Sequence, residues 1–140
     1  MPQGPNYHRT PQREAILNHV VSRRSHLSAE EIYAALRRRH PRLSMGTVYR
    51  NLHILVAQGK LRVLRFGSGQ DLYDARMEPH YHLLCRSCGD LRDLTLAPLT
   101  ELDSLARDQA TDFSVEGHML AFHGLCRNCS TQADSRESRR

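Results

Sequence analysis

Ser44-Met-Gly-Thr-Val-Tyr-Arg-Asn-Leu-His-Ile-Leu-Val56 runs into Gly59 and then into Leu61-Arg-Val-Leu-Arg-Phe66. Ser44 carries a hydroxyl suited to the first turn of a helix, where backbone N–H groups have no partner within the helix. Met45, Val48, Leu52, Leu55 and Val56 recur at the spacing of one buried helical face. Gly59 supplies the stop. Leu61–Phe66, then Gly67-Ser-Gly-Gln70, then Asp71-Leu-Tyr-Asp74 predict strand, glycine turn, strand. A capped helix that leads into a small hairpin is the second half of a winged helix-turn-helix.

The residues upstream supply the first half. Thr10-Pro11 starts a helix, with Thr as N-cap and Pro at the first helical position. Ala15, Ile16, Val20 and Leu17 give it an apolar face through about Ser22. Ser28-Ala-Glu-Glu31 is a capping box, and the helix after it carries Ile32, Tyr33 and Leu36 before His40-Pro41 ends it. The first eight residues predict a loosely ordered tail. On the outward face of the third helix lie Gly46, Thr47, Tyr49, Arg50 and His53. Arg50 can reach guanine or phosphate, and Tyr49 a thymine methyl or phosphate. An ordinary solvated face is the competing reading. The Arg37-Arg-Arg39 run suits a helix C-terminus as well as it suits DNA.

Downstream, residues 75–79 predict a linker. Short strands follow at Tyr81–Cys85, Leu91–Leu96 and His118–Gly124, with a helix from Leu99 to Ala110. The fold class is α+β, with these expected parts: a winged-helix DNA-binding domain over 1–74, a hinge over 75–79, a small dimerisation and metal-binding domain over 80–129, and a disordered tail over 130–140. A domain of about 50 residues builds little core by itself. A metal cross-link between its start and its end, together with dimerisation, would supply what the core lacks.

The cysteines provide that cross-link. Four are present, in two pairs, Cys85-x2-Cys88 and Cys126-x2-Cys129. Each two-residue spacer lets both thiolates of a pair face one ion about 2.3 Å away, and four sulfurs close a tetrahedral shell. A closed shell leaves no position for Lewis-acid chemistry, so one structural Zn2+ per chain is expected. A redox-active Cys-x2-Cys is the rival reading, and two such pairs with no other cysteine argue against it. The histidines and carboxylates nearby are not needed for this ion.

Charge separates the two halves. Residues 1–66 hold 12 Lys+Arg against 3 Asp+Glu, whereas 67–140 hold 8 against 12. That split predicts a basic module that meets a polyanion and an acidic module that collects cations. There is neither an apolar run of membrane-spanning length nor a signal-peptide pattern, so no membrane association and a cytoplasmic location are expected.

Taken together, several landmarks resemble the ferric uptake regulator family of bacterial metal-dependent repressors. They are Thr10-Pro-Gln-Arg13, His26 before Ser28-Ala-Glu-Glu-Ile-Tyr33, Gly46-Thr-Val-Tyr-Arg-Asn-Leu52, His80-Tyr-His82 with Cys85 and Cys88, and Cys126 with Cys129. The resemblance spans Thr10 to Cys129. It implies a homodimer that binds double-stranded operator DNA through its winged helices. It also implies a regulatory metal site formed by His26, Asp74, His80, His82 and Asp93. Three imidazoles and two carboxylates suit Fe2+ or Mn2+. Tyr49, Arg50 and Thr47 are then the DNA-reading candidates, with Arg13 and Arg9 directed at phosphate or the minor groove.

Asp at both carboxylate positions, with His-Tyr-His between them, is similar to the peroxide-responsive branch of the family. There, iron and hydrogen peroxide oxidise the histidines that match His26 and His80, whereas manganese does not support the reaction. Sensing of iron, manganese or zinc levels without peroxide chemistry is the alternative. Many iron sensors carry an acid between the two histidines, as part of a further metal site. Tyr81 stands there in this chain, which leaves Glu101 and His118 as the candidates for a remnant of that site. An enzyme built on the His/Asp cluster would leave the winged helix unexplained, and a zinc-ribbon interaction module would not account for His26 or Asp74. The chain therefore reads as a regulator rather than an enzyme.

Overall fold

The computed structural model describes residues 7–23, 25–66 and 69–137. Two compact units divide the chain, Met1–Glu78 and Pro79–Arg140. The first contains α1 (Pro11–Ser22), β1 (Leu27–Ser28), α2 (Ala29–Leu36), α3 (Met45–Ala57), β2 (Arg62–Leu64) and β3 (Leu72–Asp74). Its helices begin where hydroxyls meet unpartnered N–H groups. Thr10 accepts from Arg13 N at 3.2 Å, and Ser44 accepts from Thr47 N at 3.1 Å. Ser28 and Glu31 form the reciprocal capping box, at 3.2 Å and 2.8 Å. After α3 the chain turns at Gly59, whose φ of 67° is costly for a residue with a Cβ.

Ile16, Val20, Ile32, Leu36, Val48, Leu52, Leu55, Leu61 and Tyr73 form one buried cluster between the three helices and the small sheet. Burying each such aliphatic side chain stabilises the fold by about 1.5–3 kcal/mol. Met45 and Val56, expected on the buried face of α3, are only partly buried against this cluster, whereas Asn51 is buried. The sheet order is β1-β3-β2, all antiparallel. The strand β1, two residues long, is an addition to the expected hairpin, and the hairpin strands are shorter than Leu61–Phe66 and Asp71–Asp74. Gly67 and Ser68 of the expected turn lie outside the described residues, as do residues 1–6 of the expected tail.

The second unit contains β4 (Tyr81–Cys85), β5 (Leu91–Leu94), α4 (Glu101–Gln109), β6 (Ala121–Gly124) and α5 (Arg127–Glu137). Its sheet order is β5-β4-β6, with β4 antiparallel to β5 and parallel to β6. A parallel pair needs a crossover, and the segment that contains α4 provides it. The strand expected over His118–Gly124 is confined to Ala121–Gly124, where the residues pair with His82–Cys85. Likewise β5 stops at Leu94, short of Leu96.

One expectation is corrected. Residues 130–137 continue the helix α5 instead of forming part of a disordered tail, and 138–140 lie outside the described residues. The reason is local. Cys126 and Cys129 bracket the first turn of this helix, with Ser130 N bonded to Cys126 O at 2.9 Å. Ser130 and Thr131 hydroxyls both donate back to Arg127 O, at 3.0 and 2.7 Å. A nucleated first turn removes the costly step of helix formation, so a polar sequence can propagate from it.

Candidate metal centres and the exposed face of helix α3

The four cysteines come together at one end of the second unit. Cys85 ends β4, and Cys88 follows on a turn closed by Gly89 N to Cys85 O at 2.8 Å, with Gly89 at φ 76°. Cys126 immediately precedes α5 and Cys129 lies in its first turn. None is in a disulfide. One ligand atom from each lies within 4.8 Å of the others, and Cys88 Sγ is 3.9 Å from Cys126 Sγ. A tetrahedron with ligands about 2.3 Å from its centre has edges of about 3.8 Å, so the sulfurs match the shell of a single zinc-type ion.

Their electrostatics agree with that fit. The backbone N–H of Cys126, 3.3 Å from Cys85 Sγ, and then that of Cys88, draw the Cys85 thiol down to about 6. Ser87 draws Cys129 the same way but is outweighed. Cys126, burial, Cys88 and Cys85 push Cys129 up to about 12. The Asp90 backbone donor draws Cys88 down, but Cys85, desolvation and Cys126 together outweigh it, and the Cys88 thiol is raised. Four crowded sulfurs cannot all become anionic without a cation among them, and a dication removes that repulsion.

The His/Asp candidates occur as a set within each unit. In the first unit, β1 pairs with β3 so that Leu27 faces Tyr73. The antiparallel register places the preceding residue, His26, against the following one, Asp74. Their side chains meet with Nε2 3.7 Å from Oδ2, both nearly buried. Asp74 Oδ1 also accepts from Arg76 N at 2.8 Å, which orients the carboxylate. In the second unit, His80 and His82 project from the same face, with ring centroids 4.5 Å apart. His82 lies across the ladder from Asp93. Asp93 Oδ1 is 3.3 Å from His80 Nε2 and 3.6 Å from His82 Nε2. Those separations exceed normal hydrogen-bond lengths, and ligands about 2.1 Å from a shared ion span them readily. Two imidazoles and a carboxylate with this spacing form an N/O donor set for a divalent transition metal.

The candidates for a further site behave differently. His118 Nδ1 bonds Asp103 Oδ1 at 2.7 Å, and its Nε2 bonds the Tyr81 hydroxyl at 2.8 Å. The same hydroxyl accepts from Leu99 N at 2.7 Å. Both ring nitrogens are therefore engaged, and Glu101 takes no part in this chain of bonds. Among the described residues, neither Glu101 nor His118 belongs to a group of three or more metal-ligating side chains. Sequence reasoning missed Asp103, which at i+2 from Glu101 was an equally available acid.

On α3, Arg50 and His53 are exposed, as is Gly46. Tyr49 is 40% exposed, and its hydroxyl donates to Glu30 Oε1 at 2.7 Å. The Thr47 hydroxyl bonds Ser44 Oγ at 2.9 Å. Arg13, expected to reach phosphate or the minor groove, makes bonds within the chain. Its Nε donates to Asn51 Oδ1 at 2.9 Å, and Nη1 donates to His8 O. Arg9 pairs with Glu14 at 2.7 Å. Asn51 was overlooked in the sequence. Its signal was a polar side chain one residue from Leu52, within the arc of the apolar stripe.

A winged helix-turn-helix unit joined in one chain to a unit with two metal-ligand sets defines the class: a metal-responsive transcription regulator. The family follows from direct comparison. The Ferric uptake regulator family profile matches residues 5–123, and this chain belongs to that family. It is 35% identical over 125 residues to "Peroxide-responsive repressor PerR" of Staphylococcus epidermidis, covering 89% of this chain and 83% of that one. It is 37% identical over 120 residues to the protein of the same description from Staphylococcus aureus, covering 86% and 80%. Among solved structures, the Campylobacter jejuni peroxide stress regulator superposes with a TM-score of 0.71 at 27% identity, covering 85% of this chain and 89% of that one. Among the described residues no helix is long and apolar enough to cross a membrane.

Proposed function

We propose that this chain is a metal-dependent repressor that binds double-stranded operator DNA as a homodimer in the cytoplasm, and that peroxide relieves the repression. The carrying observation is the convergence of His80 Nε2 and His82 Nε2 on one oxygen of Asp93. The names of the relatives and the two aspartates in the ligand set support the peroxide assignment. In this reading His26 and Asp74 of the first unit and His80, His82 and Asp93 of the second hold one Fe2+ or Mn2+. Cys85, Cys88, Cys126 and Cys129 hold Zn2+.

Ligands drawn from both units make metal affinity depend on the pose of one unit against the other. If one pose matches the spacing of two half-sites, metal binding and operator binding favour each other. Fe2+ held by these residues would supply the peroxide chemistry, in which hydrogen peroxide gives one oxygen atom to an adjacent imidazole and leaves as water, with His26 and His80 as the targets. An oxidised imidazole is a poorer donor, so the ligand set loses affinity for the ion and the favoured pose is lost. The thiols, committed to the closed zinc shell, take no part in this.

Arg50, Tyr49 and Thr47 read the operator. The lack of crowding at Gly46 fits that role: a Cβ there would meet only Ser44 Oγ, at 3.9 Å, so the fold itself does not require a glycine. Dimerisation through the second unit is supported by its exposed apolar side chains. Leu83 and Phe122 face each other across β4 and β6 and are 40% and 48% exposed, and α4 has no buried residue.

The test is peptide mass spectrometry of zinc-replete protein loaded with Fe2+, before and after a stoichiometric pulse of hydrogen peroxide, with a Mn2+ control. A single-oxygen adduct on the His26 or His80 peptide in the iron sample alone is the expected result. Intact histidines with metal still bound would make the protein a sensor of metal level instead.

A further inference from the structure

Apolar packing joins α1 to α3 through Ile16, Val20, Leu52 and Leu55. Such contacts are non-directional and tolerate small slides and rotations between helices. One directional link crosses the same junction, Arg13 Nε to Asn51 Oδ1 at 2.9 Å. Asn51 is 4% exposed, and its Nδ2 donates to Thr47 O at 2.9 Å, so its amide is held from both ends. Arg13 Nη1 donates to His8 O, and the guanidinium carbon lies 5.8 Å from the Tyr7 ring centroid. The planar fork of Arg13 thus ties α3, α1 and the segment before α1 into one arrangement.

Asn51 neighbours Arg50 in the chain and bonds back to Thr47, two of the residues that face outward for DNA. Too deeply buried to touch a duplex, it can influence base choice only through the orientation of its helix. Arg13 Nε points inward at Asn51, and Nη1 is committed to the chain's own backbone. We propose that Arg13 is a positioning residue: through the Asn51 amide it sets the pose of α3, and so the direction in which Arg50 and Thr47 project, instead of contacting phosphate. The inference rests on the DNA-binding reading above.

The experiment compares full-length, metal-loaded wild type with Arg13→Ala, Arg13→Lys, Asn51→Ala and the Arg13→Ala/Asn51→Ala double variant. The probe is a duplex selected by the wild type from a random library, measured against unselected duplex over a range of salt concentrations. Thermal melts and zinc content report folding, and Asn51→Ser replaces Asn51→Ala if the latter does not fold. A positioning role predicts that each single variant loses about tenfold in selected-over-random preference, as coupled neighbours do. The dependence of log K on log salt stays at its wild-type slope, the double variant is no worse than the poorer single, and lysine does not rescue.

A direct bond to phosphate predicts the opposite: a slope reduced by about 1 for each phosphate no longer neutralised, preference retained, and rescue by lysine. That result overturns the inference and leaves the DNA-binding reading standing. A wild type with no preference for any duplex overturns both.

Discussion

His82 and Asp93 face each other across the β4–β5 ladder, and their side chains close to 3.6 Å between Nε2 and Oδ1. The same carboxylate oxygen lies 3.3 Å from His80 Nε2, so a single acid serves two imidazoles. Both histidines are almost fully buried, while Asp93 keeps contact with solvent.

Replacing Asp93 with Asn removes the charge but keeps the shape. Affinity for Mn2+ should fall by at least the roughly 10–100-fold seen when an outer-shell partner of a metal site is lost, since a direct ligand is removed here. Titration calorimetry on zinc-replete protein measures this. Unchanged affinity would exclude Asp93 from the site. Zinc content should stay at one per chain, because the four sulfurs are a separate set.

Cys129→Ser tests the other ion. The protein should be purified with little or no zinc, and the second unit should lose its cooperative melt, since structural zinc contributes folding free energy directly. Elemental analysis combined with differential scanning calorimetry separates metal loss from unfolding. A full zinc complement in this variant would mean that three sulfurs suffice and that the site is not the closed shell described.

Arg50→Ala should weaken preference at individual base positions by about 1–3 kcal/mol for each bidentate Arg–base pairing removed. Selection from a random duplex library reads this directly. An unaltered preferred sequence would remove Arg50 from base readout and leave it as a solvated cation.

The Tyr49 hydroxyl donates to Glu30, which holds the Glu30 carboxyl below its ordinary range and, through the same bond, raises the Tyr49 phenol. A carboxylate lowered in the folded state contributes stability above its unfolded pKa and loses it as pH falls through the folded value. Both groups are exposed, so the contribution is small. NMR titration should show the Glu30 midpoint moving up toward the ordinary glutamate value in Tyr49→Phe. A midpoint unmoved by the substitution would mean that the hydrogen bond is not formed in solution.

Much of the fold is local and was therefore legible. Thr10, Ser28 and Ser44 cap their helices because a hydroxyl and an N–H group three residues away need nothing else to find each other. The two Cys-x2-Cys pairs specify their chemistry by spacing alone, and the apolar stripe of α3 follows from helical periodicity. Less legible were the element ends, where pairing partners decide: β6 begins at Ala121 rather than His118 because its parallel partner β4 itself begins only at Tyr81, and the ladder opens with His82 opposite Ala121. The helix through Glu137 was unreadable from composition, since its polar residues follow a turn built around the cysteines.

By itself, then, the sequence determined the first four helices, the caps of the first three, the four-sulfur set and the family. Only the tertiary structure decided which distant groups meet. It put His26 beside Asp74 through the register of a two-residue strand, bound Arg13 inward to Asn51, and used Tyr81 and Asp103 to engage both nitrogens of His118. The physical reason is range. Capping and periodicity depend on neighbours along the chain, whereas these bonds depend on strand register and helix docking, which the whole core sets at once.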